Sequence, residues 1–274
     1  MKLQFLGTAA AEGVPGLFCD CDTCRKARAR GGRHIRSRSQ SIVNDSLLID
    51  YSADTLWHLT RENIDLCNIH HCIITHVHQD HFYPLDMYYP KKGFSEPPEG
   101  YHFEVCGSVD IVPEMEKVRE DTAGNVDYRV LEPYVPVRIG DFTVTPLRGL
   151  HGTDNPYFYA ISDGEKNLLY AHDTDDFPEA TWEYLKKSGL RFDLVSMDCT
   201  GGAFPSLPYK GHMCIGTNRI VREKLLSLGL ADKKTRFVLN HFSHNGKDAS
   251  YDEFCAIAIP QGFEVSYDGM TAIF

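Results

Sequence analysis

The segment Thr75-His-Val-His-Gln-Asp-His81 places three histidines and one aspartate within six residues. Neutral imidazoles and carboxylates are the usual ligands of zinc and other first-row divalent ions. In an extended run alternate side chains share a face, so His76 and His78 can grip one ion together. The turn that follows can aim Asp80 and His81 at a second. Two ions roughly 3.5–4 Å apart can hold a bridging hydroxide and stabilise both the attacking and the leaving oxygen of a displacement. An ordinary surface loop directly after the apolar run CIIT would not carry four ligand-type residues at this spacing. Three single residues repeat the chemistry further along: His151 after TPLRGL, Asp173 after LLYAH and His241 after FVLN.

A second concentration lies near the N-terminus. Cys19-x-Cys21-x-x-Cys24 supplies three thiolates within one short turn. Structural zinc sites close their tetrahedron with a fourth Cys or His. His244, three residues beyond His241, is the expected partner, with His34 as the other candidate. If His244 closes it, the N-terminal loop at 19–24 folds over beside the first cluster.

H-x-H-x-D-H after a hydrophobic strand resembles the signature of the metallo-β-lactamase superfamily, and the resemblance runs from the opening KLQFLGTAA to the closing FEVSYDGM. It implies a four-layer αββα sandwich, a single domain over residues 1–274, and two divalent metals, zinc or manganese. Carried over by position, it gives His76, His78 and His151 to one metal and Asp80, His81 and His241 to the other, with Asp173 bridging. His172 departs from the pattern, since relatives often carry a small or hydroxylated residue there; it is read as pointing into the sheet. The cysteine loop after GTAAAEGVPG, together with H-x-x-H near the C-terminus, is similar to the PhnP-type phosphodiesterases. That likeness implies hydrolysis of a small, cyclic phosphodiester. The PqqB family, a biosynthetic class with a similar zinc loop, is the rival. Lactamase, thioesterase and RNase Z-like readings are lowered by the cysteine loop or by charge.

Asp80 and His212 are the candidate catalytic residues. His212, in YKGHMC, is read as a general acid or phosphate contact, because an imidazole with an unperturbed pKa of about 6.5 suits proton transfer near neutrality. Lys210 and Arg148 are cations that spacing alone does not place in the site. The basic stretch HIRSRSQ is read as a solvated strand or loop, and His58, His70, His71 and His102 lack a convergent context.

The elements that must position these groups read as an alternation of short β-rich runs and helical patterns. Strands are expected at KLQFLG, 46–51, 71–76, 103–107, 142–147, 157–162, 167–173, 193–198, 236–241 and 263–269, bounded by Gly, Pro, Asn or Asp. Helices are expected at 53–61, 110–119, 178–188, 217–228 and 250–258. The fourth should bury Ile220, Leu225 and Leu228 on one face and end at Gly229. Nearly every candidate ligand falls at the C-terminal end of a strand, which suggests one convergent site on a layered α/β protein.

The chain has 274 residues, 42% hydrophobic and 24% charged, with a formal net charge of -10. Such an acidic surface argues against a nucleic-acid partner, but not against a small phosphate ester at a metal-lined pocket. No apolar run long enough to span a membrane occurs. The N-terminus is read as a strand rather than a signal peptide. Nine cysteines, six of them scattered, fit a reducing cytoplasm and one metal cluster better than a disulfide framework. A homodimer is suggested by the resemblance.

Overall fold

Leu168 and Tyr170 face one side of their strand, Leu169 and Ala171 the other, and all four are buried. A strand apolar on both faces must be covered on both, which forces a layered architecture. The computed structural model describes residues 1–274, and it places two seven-stranded sheets face to face between helices.

In chain order the strands are β1 (Lys2–Gly7), β2 (Gln40–Val43), β3 (Leu47–Ile49), β4 (His71–Ile73), β5 (Phe103–Gly107), β6 (Val126–Val130) and β7 (Val137–Ile139). They continue as β8 (Phe142–Arg148), β9 (Tyr157–Ser162), β10 (Asn167–Ala171), β11 (Leu194–Asp198), β12 (Arg236–Asn240), β13 (Glu264–Val265) and β14 (Thr271–Ile273). The first sheet runs β14-β1-β2-β3-β4-β5-β6, and the second β13-β12-β11-β10-β9-β8-β7. Strands β3 to β6 are parallel, as are β10 to β13. The helices are α1 (Asp22–Arg30), α2 (Thr55–Glu62), α3 (Val112–Asp121), α4 (Glu179–Ser188), α5 (Ile215–Ser227) and α6 (Tyr251–Ala258).

Three apolar layers hold the stack. Leu3, Phe5, Ile49 and Ile73 meet Val144, Tyr159, Tyr170 and Val238 between the sheets. Cys72, Ile74 and Val105 on the outer face of the first sheet pack under Met115 and Val118 of α3. Leu169, Val195 and Leu239 pack under Trp182 and Leu185 of α4, Val221 and Leu225 of α5, and Phe254 of α6. The predicted four-layer αββα class is therefore the observed one.

Several expectations change in detail. The expected helix over 217–228 forms one to two residues earlier, and Gly229 adopts φ 72° just past its end as a left-handed stop. Its buried face is Ile215, Asn218, Val221 and Leu225, with Leu228 just past its end packed against the same core, whereas Ile220 is 60% exposed and departs from the expected stripe. Helix α1 was not expected at all, and it takes in Cys24, so only Cys19 and Cys21 of the proposed loop lie outside regular structure. The stretch HIRSRSQ is not solvated. Arg36 is 3% exposed, donates to Thr8 Oγ1 and Ser266 O, both at 2.8 Å, and lies 4.1 Å above the Phe242 ring. Of the scattered cysteines, Cys72, Cys106, Cys199 and Cys214 are buried as small apolar residues, while Cys67 is exposed.

His58 on α2 is fully buried, with Nδ1 2.6 Å from Gln40 Oε1 and Nε2 2.7 Å from Ser37 Oγ. Gly7 lets this ring approach, since a Cβ there would lie 2.8 Å from the imidazole and 1.9 Å from Arg38 O. Burial drives the His58 pKa down to about 3. The unfolded chain then binds this proton more readily than the folded one between the ordinary value near 6.5 and about 3. Stability from neutral His58 is present above 6.5 and lost as pH falls, by up to about 1.4 kcal/mol per pH unit. Urea unfolding at pH 7 and pH 5 should show a smaller acid-induced loss in His58→Gln than in the parent. An identical loss would contradict this account.

Candidate metal centre

Strands β8, β10, β11 and β12 run in one direction, so their C-terminal ends share one edge of the second sheet. Ligands collect at such edges because the strands fix the backbone up to the last residue and the following turn aims the side chain. Two of these turns are left-handed, with Asp173 following β10 at φ 48° and His241 following β12 at φ 60°, and Asp50 follows β3 of the first sheet at φ 67°. Non-glycine residues enter this region at a cost, and they cluster where surrounding structure holds a functional geometry.

The histidines form two groups. His78 Nδ1 lies 3.0 Å from both His76 Nε2 and His151 Nε2, so three ring nitrogens face one point. Asp80, His81 and His241 form the other group, with His81 Nε2 3.2 Å from Asp80 Oδ2 and 3.2 Å from His241 Nε2. Asp173 stands between them. Its Oδ1 lies 3.6 Å from His151 Nε2, and its Oδ2 lies 2.6 Å from His81 Nε2 and 2.9 Å from His241 Nε2. Although buried and so close to two ring nitrogens, Asp173 Oδ2 makes a hydrogen bond with neither.

That orphaned oxygen is the test of fit. An unpaired buried carboxylate oxygen is costly, and a cation at the convergence point removes the cost. A tetrahedral ion at 2.0–2.1 Å from its ligands sets them about 3.3 Å apart, close to the 3.0 Å between the ring nitrogens of the first group and the 3.2 Å from His81 Nε2 to Asp80 and His241 in the second. The outward ring nitrogens complete the case. His81 Nδ1 lies 2.7 Å from Asp50 Oδ2, His151 Nδ1 2.8 Å from Gly211 O, and His241 Nδ1 2.9 Å from Thr200 Oγ1. An imidazole whose outer nitrogen donates to such a partner presents a lone pair inward. Burial lowers the pKa of His76 and His151, which favours this neutral form. Burial would do the same to His241, but Asp173 and Asp198 outweigh it and lift the pKa to about 10. The donor set therefore suits divalent cations, and protons take their place at the second group when none is bound.

The sequence brought seven residues to this place, and the structure brings all seven together. It adds groups the sequence reading missed. Asp50, fully buried, accepts from Thr75 N at 2.8 Å and Thr75 Oγ1 at 2.9 Å while holding His81. Asp198, at the end of β11, lies 3.0 Å from His212 Nδ1 and accepts from the backbone of Thr200 and Met213, both at 2.9 Å. Burial would hinder ionisation of His212, yet Asp198 and then Asp173 raise its pKa. The available signal was an aspartate ending an apolar strand, the same pattern that pointed to Asp173. His172 lies in the interior, 2.7 Å from Ser196 Oγ and away from the ligand groups. Arg148 is tied to Asn155 and stands over Tyr157, whereas Lys210 is 3.1 Å from Asp175 and largely exposed.

The cysteine cluster closes with His244. Cys19, Cys21, Cys24 and His244 present their ligand atoms to one point, with both Cys19 Sγ and Cys21 Sγ 3.5 Å from His244 Nδ1. Thiolate and imidazole ligands of one tetrahedral zinc, at about 2.3 and 2.0 Å, would be separated by about that distance. Gly16 is required here, since a Cβ would lie 2.8 Å from the His244 ring. His34 turns instead to Asp252, at 3.2 Å.

A model of the beta-lactamase superfamily domain matches residues 46–242, a span that opens just before β3 and ends just past His241. The chain belongs to the beta-lactamase superfamily. Among solved structures it is similar over its whole length to a diphosphatase of the PhnP family, with TM-score 0.77, 22% identity and 97% of that chain covered. Zinc-bound PqqB from Methylobacterium extorquens gives TM-score 0.78 and 19% identity, with both chains fully covered. The short form of human tRNase Z gives 0.65 and 17%, covering all of this chain and 99% of the other. At these identities the likeness is one of fold. An octanoyltransferase from Porphyromonas gingivalis is 27% identical over 197 residues, 70% of this chain and 38% of that protein. The chain thus spans well under half the length of this curated relative. No helix is long and apolar enough to cross a membrane.

Removing the Asp50 carboxylate tests the outer support of the second group. Asn tolerates the left-handed backbone at position 50, so Asp50→Asn should fold but bind metal some 10–100-fold more weakly. Metal content after dialysis against graded chelator measures this. Unchanged retention would show that Asp50 does not support the ligands.

Proposed function

We propose that the chain is a metal-dependent hydrolase of small phosphodiesters, cyclic ones included, of the kind suggested by its PhnP-type pattern. The observation that carries the reading is the Asp198–His212 pair beside Asp173, because it sets a proton donor next to the ligand cluster without making it a ligand of the first group. His76, His78 and His151 would hold one divalent ion, Asp80, His81 and His241 the other, and Asp173 both. Bound there, zinc or manganese supplies hydroxide near neutral pH and offsets negative charge on phosphate oxygens.

The chain's own groups divide the remaining work. Asp80, its pKa lowered by His81 against the cost of burial, stays ionised and can accept a hydrogen bond from the attacking water. His212 Nδ1–H donates to Asp198 Oδ2 at 3.0 Å, which leaves Nε2 as the nitrogen free to transfer a proton. With Asp198 and Asp173 stabilising its protonated form, His212 can give the Nε2 proton to a leaving alkoxide. Gly211 O holds His151 from the adjacent residue, so the loop that carries the proton donor also fixes a ligand. Cys19, Cys21, Cys24 and His244 would bind a structural zinc, anchoring the segment that begins at His241.

The test is turnover of bis(p-nitrophenyl) phosphate, a ribose cyclic phosphate, a thioester and a β-lactam with excess Mn²⁺ or Zn²⁺. Phosphodiester cleavage should vanish in Asp80→Ala. In His212→Ala, kcat for the cyclic alkyl ester should fall roughly 10²–10⁴-fold, and far less for the nitrophenyl ester, whose leaving group needs no proton. Thioester turnover alone would move the assignment toward acyl chemistry, in line with the name of the octanoyltransferase relative. No phosphodiester turnover under any metal would sink the proposal, and inactivity on all four substrates would favour a PqqB-like role.

A further inference from the structure

A cavity lies away from the metal centre and shares no ligand residue with it. It has a volume of about 760 Å³ and opens between α2 and the segment that follows β4, over the outer face of the first sheet. Tyr51, Leu59, Met87, Tyr89, Tyr101 and Phe103 make up much of its wall. A concave, mostly apolar site of this size with a few polar groups is the usual form of a small-molecule pocket.

Its polar groups are of one sign. Asp65, Asp86 and Glu96 line it, and no lysine, arginine or histidine does. Asp65 is occupied with its own turn, accepting from Cys67 N at 2.9 Å and Asn68 Nδ2 at 3.1 Å. The Asp86 carboxylate has no such partner and forms no ion pair. Tyr51, only 5% exposed, also lines the cavity, and its hydroxyl has no hydrogen bond to the protein. Aromatic side chains, an unpaired carboxylate and no competing cation together select a positively charged guest with an apolar body. Leu56, which also lines the cavity, is 73% exposed.

We propose that this cavity is a second binding site, for a small hydrophobic organic cation such as an alkylammonium, held by Asp86 and the aromatic side chains of Tyr51, Tyr89, Tyr101 and Phe103. The site is independent of the reaction assigned above.

Isothermal titration with dodecyltrimethylammonium below its micellar concentration, beside dodecanoate of equal chain length, reads the inference. The cation should bind saturably at one site per chain and dodecanoate at least about tenfold more weakly. Asp86→Asn should weaken the cation about tenfold. Thr60→Trp, at an exposed position on α2 that lines the opening, should block binding without disturbing the core. Equal affinity for dodecanoate would overturn the proposal, as would the absence of saturable binding. Cation binding unaffected by either variant would overturn it too, since it would reflect diffuse attraction to a chain of net charge -10.

Discussion

The shared carboxylate of Asp173 is the interaction on which the site depends. One oxygen faces His151 of the three-histidine group and the other faces His81 and His241, and both are enclosed by protein. An anion buried among ring nitrogens without a hydrogen bond on one oxygen is stable only when cationic charge is supplied. Protons on His81 and His241 can provide it, and divalent ions provide it better. The layered fold serves this balance. Two sheets present their strand ends to one edge, and the left-handed residues there turn carboxylate and imidazole inward.

Around that anion the molecule arranges successive supports. Asp50 holds His81, Gly211 holds His151, Thr200 and Asp198 hold His241, and Asp198 also holds His212. A partner at one nitrogen of an imidazole decides which nitrogen carries the proton and which is free, so the same backbone would set both ligands and proton donor. A metal held by Cys19, Cys21, Cys24 and His244 would attach the N-terminal segment three residues after His241, close enough to steady the turn that carries it.

Much of this was legible in the sequence because the decisive residues are local. His76, His78, Asp80 and His81 lie in one short run, and a strand followed by a turn leaves few ways to scatter them. His151, Asp173 and His241 were legible through their place after apolar runs. Asp50 and Asp198 were not, since an aspartate closing LLID or LVSMD looks like any strand end until its partner, distant in sequence, is in place. Their role depends on contacts between Asp50 and His81 and between Asp198 and His212, which no local pattern encodes. The same holds for Arg36, whose burial rests on Phe242 and Ser266, more than two hundred residues away. Short strands such as β2 and β7 escaped because four and three residues carry little periodicity. Helix α1 escaped because its cysteines and arginines do not form an apolar stripe.

The central claim is that Asp173 joins two ions in one site, and electron paramagnetic resonance of the Mn²⁺-loaded protein tests it most directly. Two ions held about 3.5–4 Å apart should give an exchange-coupled spectrum at two equivalents of metal, and Asp173→Asn should replace it with the six-line signal of isolated Mn²⁺. An uncoupled spectrum in the parent protein, or a coupled one that survives the substitution, would contradict the account.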